Sequence, residues 1–164
     1  MSLPELGEEI RVRLGVLARE VKVAKGFVEV VTGRETLREV AKTLKEMGFD
    51  HVKSVTAVDY PKEGKIRVTY HASSFLNEEL SRFMVGLSVD LPRDKPVVET
   101  LYPIWNSVEF MEREVYEFFG VIFEGHPDLR PLLLAPDLAE KKVMRKDFVV
   151  REESIYEGVP HEYK

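Results

Sequence analysis

Apolar and polar residues alternate along this chain with two different periods, and the switches between them mark its elements. Near the start, Leu6, Ile10, Val12, Leu14 and Leu17 recur at helical spacing behind Ser2, Leu3 and Pro4. A proline suits the first helical turn, and Glu5, Glu8 and Glu9 favour the positive end of the helix dipole. A short amphipathic helix is predicted, ending near Gly15. The period then drops to two. Val21 and Val23 flank Lys22, Lys25 and Gly26 turn the chain, and Val28 and Val30 flank Glu29. That is the pattern of a hairpin. Helical spacing returns at Leu37, Val40, Ala41, Leu44 and Met47, with Gly48 as the expected stop.

Three more segments of period two follow: one from His51 to Tyr60, one through Ile66, Val68 and Tyr70, and one through Phe83, Val85, Leu87 and Val89. A loop with Pro92 and Pro96 comes next, and then a third helix from about Ile104 to Phe119. Strands joined by short turns pair antiparallel, and the helices can cover one face. The order helix-strand-strand-helix-strand-strand-strand therefore predicts a two-layer α+β fold. Its sheet is mainly antiparallel, of about five strands, and a C-terminal helix and extended tail follow. Pro127, Pro131 and Pro136 break any long element after Gly120. Residues 1–136 are expected to form a single domain, and the charged stretch 137–164 to be an extension ordered by a partner.

Composition narrows the function more than the fold. The net charge is −5, with both signs mixed along the chain, so no basic stripe marks a nucleic-acid surface. No uncharged apolar run approaches the roughly 18 residues that span a bilayer, and the acidic N-terminus lacks an apolar signal core. A cytoplasmic protein is expected, meeting a membrane only through a partner. There is no cysteine, which excludes disulfides, thiolate-bound zinc, protein-bound iron–sulfur clusters and a thiol nucleophile within this sequence. The sequence has no glutamine and only Asn77 and Asn106 as asparagines, a bias typical of thermophile proteins.

The candidate chemistry gathers in residues 111–134, MEREVYEFFGVIFEGHPDLRPLLL. In the helix, Val108, Met111, Val115, Phe118 and Phe119 form an apolar stripe. Glu109, Arg113 and Glu117 stand four residues apart, so they could pair along a solvated face. Alternatively, Glu112, Arg113 and Glu114 hold the following loop or a partner, a task that bidentate Arg–carboxylate contacts do well. His126 lies on a rigid turn between Gly125 and Pro127, with Asp128 two residues on. Histidine in such a place invites a role as acid, base or ligand. Yet His51, His71 and His161 are scattered, and Ser73, Ser74 and Ser107 lack a nucleophile motif. No phosphate- or dinucleotide-binding glycine pattern occurs either. The apolar residues from Phe118 to Leu134 exceed what a small domain readily buries, which points to a permanent interface.

This stretch closely resembles the signature of the thirty-kilodalton (C-type) subunit of complex I, the NADH:quinone oxidoreductase. The equivalent subunit occurs in membrane-bound [NiFe] hydrogenases. Glu112, Arg113, Glu114, Glu117, Phe118, Phe119, His126 and Arg130 stand at the family's spacing, and MRKDF at 144–148 resembles its next element. The resemblance covers about residues 4–150. Pro131 and Val149 depart from it, where complex I members often carry a basic residue and a proline.

The resemblance implies a non-catalytic accessory subunit of the cytoplasmic arm of a membrane-bound oxidoreductase. Such a subunit braces the large catalytic subunit, of the quinone-site or [NiFe] type, alongside other peripheral-arm subunits. It implies no cofactor in this chain, with iron–sulfur clusters, and in hydrogenases nickel–iron, in the partners. Glu112, Arg113, Glu114, Glu117, Phe118, Phe119, His126, Asp128 and Arg130 would be interface or loop-anchoring positions. Two alternatives stand beside it: a free-standing hydrolase using His126 and Asp128, and a homodimeric regulatory module joined through the 118–134 patch.

Overall fold

The computed structural model describes residues 1–150. Helix α1 spans Leu3–Leu14 and opens on a capping box. The Ser2 hydroxyl accepts from the Glu5 amide and the Glu5 carboxylate accepts from the Ser2 amide, satisfying donors that the first turn leaves unpaired. Leu6, Ile10 and Leu14 are buried, whereas Val12, expected on the apolar face, points to solvent. It lies two residues from Ile10 and Leu14, on the opposite side of a helix.

Strands β1 (Ala18–Ala24) and β2 (Phe27–Thr32) form the expected hairpin around Gly26. Helix α2 spans Leu37–Glu46 and buries Leu37, Val40, Ala41 and Leu44. Gly48 follows at φ 107°, a left-handed conformation that glycine adopts freely. Strands β3 (His51–Tyr60) and β4 (Lys65–Ser73) pair antiparallel through a turn at Pro61–Gly64. A one-turn helix, α3 (Glu78–Ser81), comes before the next strand, and the Phe83 amide still donates to the Leu80 carbonyl, so β5 begins only at Val85, past the expected Phe83, and ends at Pro92.

The sheet order is β1-β2-β5-β4-β3. All neighbours are antiparallel except β2 and β5, which run parallel. The fold is thus the expected α+β arrangement on a mainly antiparallel sheet, with one parallel join. That join lets β5 enter the middle of the sheet, and Val85, Leu87, Val89 and Leu91 are accordingly buried. Opposite them on the core face of β4 lie Ala72, Tyr70, Val68 and Ile66. The alternate residues carry the polar face, where Arg67 meets Asp90 at 2.6 and 3.0 Å and Thr69 meets Ser88 at 2.8 Å.

Two short strands were not anticipated. Val97–Glu99 (β6) and Ile122–Glu124 (β7) pair parallel in a separate ribbon. Three residues give too little alternation to read a period. Between them, a turn of 3₁₀-helix at Asn106–Val108 leads into α4, Glu109–Phe119. Trp105 is buried just before it, its indole N–H donating to the Phe49 carbonyl at 2.9 Å. α4 ends at Gly120, left-handed at φ 73°.

Residues 137–150 hold no helix or strand, yet they are bonded to the domain. The Met144 amide donates to the Phe118 carbonyl, and Arg145 Nε donates to the Phe119 carbonyl at 2.7 Å. The Lys146 amide donates to Asp59 Oδ2 at 2.9 Å. The rest of the expected extension, residues 151–164, lies outside the described residues.

Asp59 is the hub of that attachment. It is buried at the end of β3 and accepts both arms of Arg93, at 2.7 and 3.0 Å. The Arg93 guanidinium, despite the cost of burial, holds the Asp59 carboxyl below the usual carboxylate range. A carboxyl with a depressed folded pKa adds stability above its unfolded value, near 4, and loses it as pH falls through the lower folded value. Asp59→Asn should cost about 2–3 kcal/mol at pH 7. Urea unfolding should find the gap between variant and wild type narrowing from pH 4 toward pH 2.

Candidate functional site

Helix α4 presents its signature residues inward. Val108 and Val115 are buried as the apolar stripe requires, and between them, on the same side, lies fully buried Glu112. Arg113 and Glu117 are also buried, at 5% and 1% exposure. The solvated row of pairs at four-residue spacing is therefore not what forms. These side chains leave the helix and bond to the chain on either side of it.

Glu112 reaches the sheet and the segment after β6. Its Oε1 accepts from the Tyr70 hydroxyl at 2.9 Å and the Leu101 amide at 3.0 Å, and its Oε2 accepts from the Thr100 hydroxyl. Burial pushes its carboxyl above the ordinary value, against the opposing pull of those three donors. The Tyr70 hydroxyl is pushed well up, first by burial and then by the Glu112 charge. Such a carboxylate is tolerable inside a protein because these three donors satisfy it.

Arg113 and Glu117 clamp the loop. Arg113 Nε donates to the Arg130 carbonyl and Nη2 to the Pro131 carbonyl, both at 3.0 Å, while Nη1 lies 3.5 Å from Asp128 Oδ2. Glu117 accepts from three consecutive amides, those of Leu132, Leu133 and Leu134, at 2.7–3.2 Å. One turn of helix thus binds the carbonyls at the loop's start and the amides at its end. A stretch that prolines keep out of helix and sheet has no partners of its own for these groups, so side chains supply them.

His126 lies under the same helix with its side chain buried. Its Nε2 is 2.9 Å from the Glu109 carbonyl, and its Nδ1 is 3.1 Å from the Asp128 amide. A carbonyl can only accept and an amide can only donate. The ring is therefore the neutral tautomer protonated at Nε2, with both nitrogens engaged. Glu112 Oε2 lies 3.9 Å from Nε2, beyond hydrogen-bond reach. Asp128 is bonded to Arg130 at 3.0 Å on the exposed side. The hydrogen-bond partners of the His126 ring are both backbone groups, so it bonds to no hydroxyl that it could activate.

The remaining signature residues flank the clamp. Phe119 packs against the core, and Phe118 is half-buried, with both carbonyls taken by residues 144–145. Glu114 is half-buried, outside the network. Of the apolar run, Val121 and Phe123 go into the core, whereas Leu132, Leu133 and, on the helix, Phe110 stay exposed. Among the described residues, no group of three or more His, Asp or Glu side chains could hold a metal ion.

Tyr70 and Thr100, both partners of Glu112, carry no motif that would single them out. For Tyr70 there was a signal: it stands at an inward position of β4, and a buried tyrosine hydroxyl needs a partner. Thr100 offered none.

Comparison with known proteins gives the family. The family described as respiratory-chain NADH dehydrogenase, 30 Kd subunit, matches residues 30–154. The C subunit of the F(420)H(2) dehydrogenase of Methanosarcina mazei is 33% identical over 135 residues, covering 82% of this chain and 78% of its own. NADH-quinone oxidoreductase subunit 5 of Thermus thermophilus is 37% identical over 135 residues, 77% of this chain and 64% of its own. A chain of the membrane-bound sulfane sulfur reductase, described as an archaeal respiratory membrane complex, superposes with a TM-score of 0.82. It is 28% identical and covers 98% of this chain and 95% of that one. The trypsin-resistant fragment 1–134 of Nqo5 superposes at 0.64 with 31% identity, over 79% of this chain and 100% of the fragment. The chain belongs to the family of the 30-kDa subunit of respiratory-chain NADH dehydrogenase.

Proposed function

We propose that this chain is a non-catalytic accessory subunit in the cytoplasmic arm of a membrane-bound, energy-converting oxidoreductase. There it braces the large catalytic subunit, whose iron–sulfur clusters, or nickel–iron in a hydrogenase-type complex, carry the electrons. The observation that carries this reading is how the signature is used. Glu112, Arg113, Glu117 and His126 spend their polar atoms on this chain's own backbone and side chains. A general acid or base has to reach the proton that it transfers, whereas the groups that these side chains reach are amides, carbonyls and buried hydroxyls of this chain. These side chains instead fix the loop 126–134, which displays Leu132 and Leu133 to an outside partner. The similarity to subunits of an F(420)H(2) dehydrogenase, an NADH-quinone oxidoreductase and a sulfane sulfur reductase supports the same class. The donor and acceptor of electrons are then set by the other chains.

No helix among the described residues is long and apolar enough to cross a membrane. A hydrolase built on His126 and Asp128 gains no support, since both ring nitrogens are committed. A homodimer through the 118–134 patch loses Val121 and Phe123 to the chain's own core. The test is affinity purification of the tagged chain from detergent-solubilised native membranes. The expected result is co-purification, in fixed ratio, of a larger chain bearing clusters or nickel. Recovery of the tagged chain alone would reject the proposal.

A further inference from the structure

The loop 126–134 is gripped at three points, and one grip works only while a proton is missing. Arg113 holds the carbonyls of Arg130 and Pro131, and Glu117 holds the amides of Leu132, Leu133 and Leu134. The entrance is held by the His126 ring. Its Nδ1 accepts from the Asp128 amide at 3.1 Å, and its Nε2 donates to the Glu109 carbonyl at 2.9 Å. Arginine keeps its charge throughout the physiological range, whereas histidine ordinarily changes charge between about pH 5 and 8. A second proton on this ring has one place to go, Nδ1. An imidazolium donates from both nitrogens, so Nδ1–H would then face the Asp128 N–H, donor against donor, and that hydrogen bond is lost.

The surroundings do little to keep the charged ring in place. The carboxyl that faces it from α4 is Glu112, with Oε2 3.9 Å from Nε2. That carboxyl already accepts from Thr100, Leu101 and Tyr70, and burial raises its pKa, which draws it toward the neutral form in acid. From the loop itself, Asp128 is bonded to Arg130 and lies 3.5 Å from Arg113 Nη1. From the segment after β6 comes the Tyr102 ring, 6.4 Å away between centroids. A buried cation whose neighbouring carboxyls are engaged elsewhere is costly. The way out is short. Only the ring is buried, and the backbone on either side of it, Gly125 and Pro127, is exposed. Gly125, left-handed at φ 80°, can change conformation freely and so serve as a hinge.

We propose that His126 is an acid-released latch. Uptake of a proton at Nδ1 expels the ring from beneath α4 and frees the turn 125–128, while Arg113 and Glu117 keep the rest of the loop in place. The opening is a property of this chain alone. Its consequence for assembly, a weaker hold on a partner in acid, rests on the accessory-subunit reading.

Nuclear magnetic resonance of the isotopically labelled full chain tests the latch without any partner, so failure of the accessory role leaves the outcome untouched. The imidazole nitrogens report protonation, and hydrogen exchange at the Asp128 amide, corrected for its intrinsic slowing in acid, reports the turn. At pH 8 the ring should show the Nε2–H tautomer and the Asp128 amide should be protected. As pH is lowered toward 5, that protection should fall at least tenfold in step with double protonation of the ring, with protection at amides 132–134 unchanged. In His126→Asn the side-chain oxygen can still accept from the Asp128 amide and takes up no proton, so protection should not vary with pH. Should that variant unfold, the wild-type titration decides by itself. A doubly protonated ring with the Asp128 amide still protected would overturn the proposal, as would a ring that stays neutral for as long as the chain is folded. Loss of protection that does not follow the ring, or that extends equally to amides 132–134, would also overturn it.

Discussion

Glu112→Ala is expected to lose about 3–5 kcal/mol, a large fraction of the roughly 5–15 kcal/mol that holds a typical domain folded. The substitution empties a fully buried site and leaves the Tyr70 hydroxyl, the Thr100 hydroxyl and the Leu101 amide without an acceptor. Unpaired buried donors and a cavity add to each other. Glu112→Gln separates the two effects. Its amide oxygen still accepts from Tyr70 and Leu101, and the Thr100 hydroxyl can rotate to accept from the amide nitrogen, so only about 1 kcal/mol should be lost. The pH dependence provides a second check. Burial raises the folded pKa of Glu112 above its unfolded value, so folding takes up a proton, and this group's contribution falls as pH rises from about 4.5 through the raised value. Glu112→Gln should remove that decline, which chemical denaturation at pH 4.5 and pH 7.5 would reveal.

Glu117→Ala is expected to act locally. Three successive amides lose their acceptor, but Leu132 and Leu133 are exposed, so water can replace the carboxylate. The global cost should be about 2 kcal/mol. The larger consequence is release of the loop: amides 132–134 should exchange with solvent roughly 30-fold faster, the factor that corresponds to about 2 kcal/mol. Exchange unchanged at those amides would mean that the clamp is not what orders the loop. Under the proposed role, in which this loop meets a partner, its release should weaken assembly more than it weakens folding.

The elements were legible because their periods are long and their stops are marked. α2 carries four apolar positions at helical spacing, with Met47 a fifth just before Gly48, and β3 and β4 alternate on either side of the Gly64 turn. The order of strands was not, because the parallel pairing of β2 with β5 depends on contacts between residues more than fifty positions apart. β6 and β7 are too short to carry a period.

The site shows the same division. That the stretch 112–130 matters was visible from its spacing. That its charges are internal was only half visible, in Glu112. It stands four residues after Val108 and three before Val115, on the apolar stripe itself, where a charge must either find partners or be pushed out of the core. Arg113 and Glu117 lie off the core stripe and are buried by the returning loop. No periodicity within α4 could announce that, since the groups that bury them come from residues 128–134. Asp59 was hidden for a related reason, because its partners, Arg93 and the Lys146 amide, lie in other segments of the chain.

The role proposed for the signature residues is to shape a subunit and not to perform chemistry. The most direct measurement is electron transfer to an artificial dye acceptor, expressed per assembled complex, for Arg113→Ala beside wild type. The expected result is less assembled complex with unchanged turnover in what does assemble. Full assembly with turnover reduced tenfold or more would contradict the account and place Arg113 in the reaction.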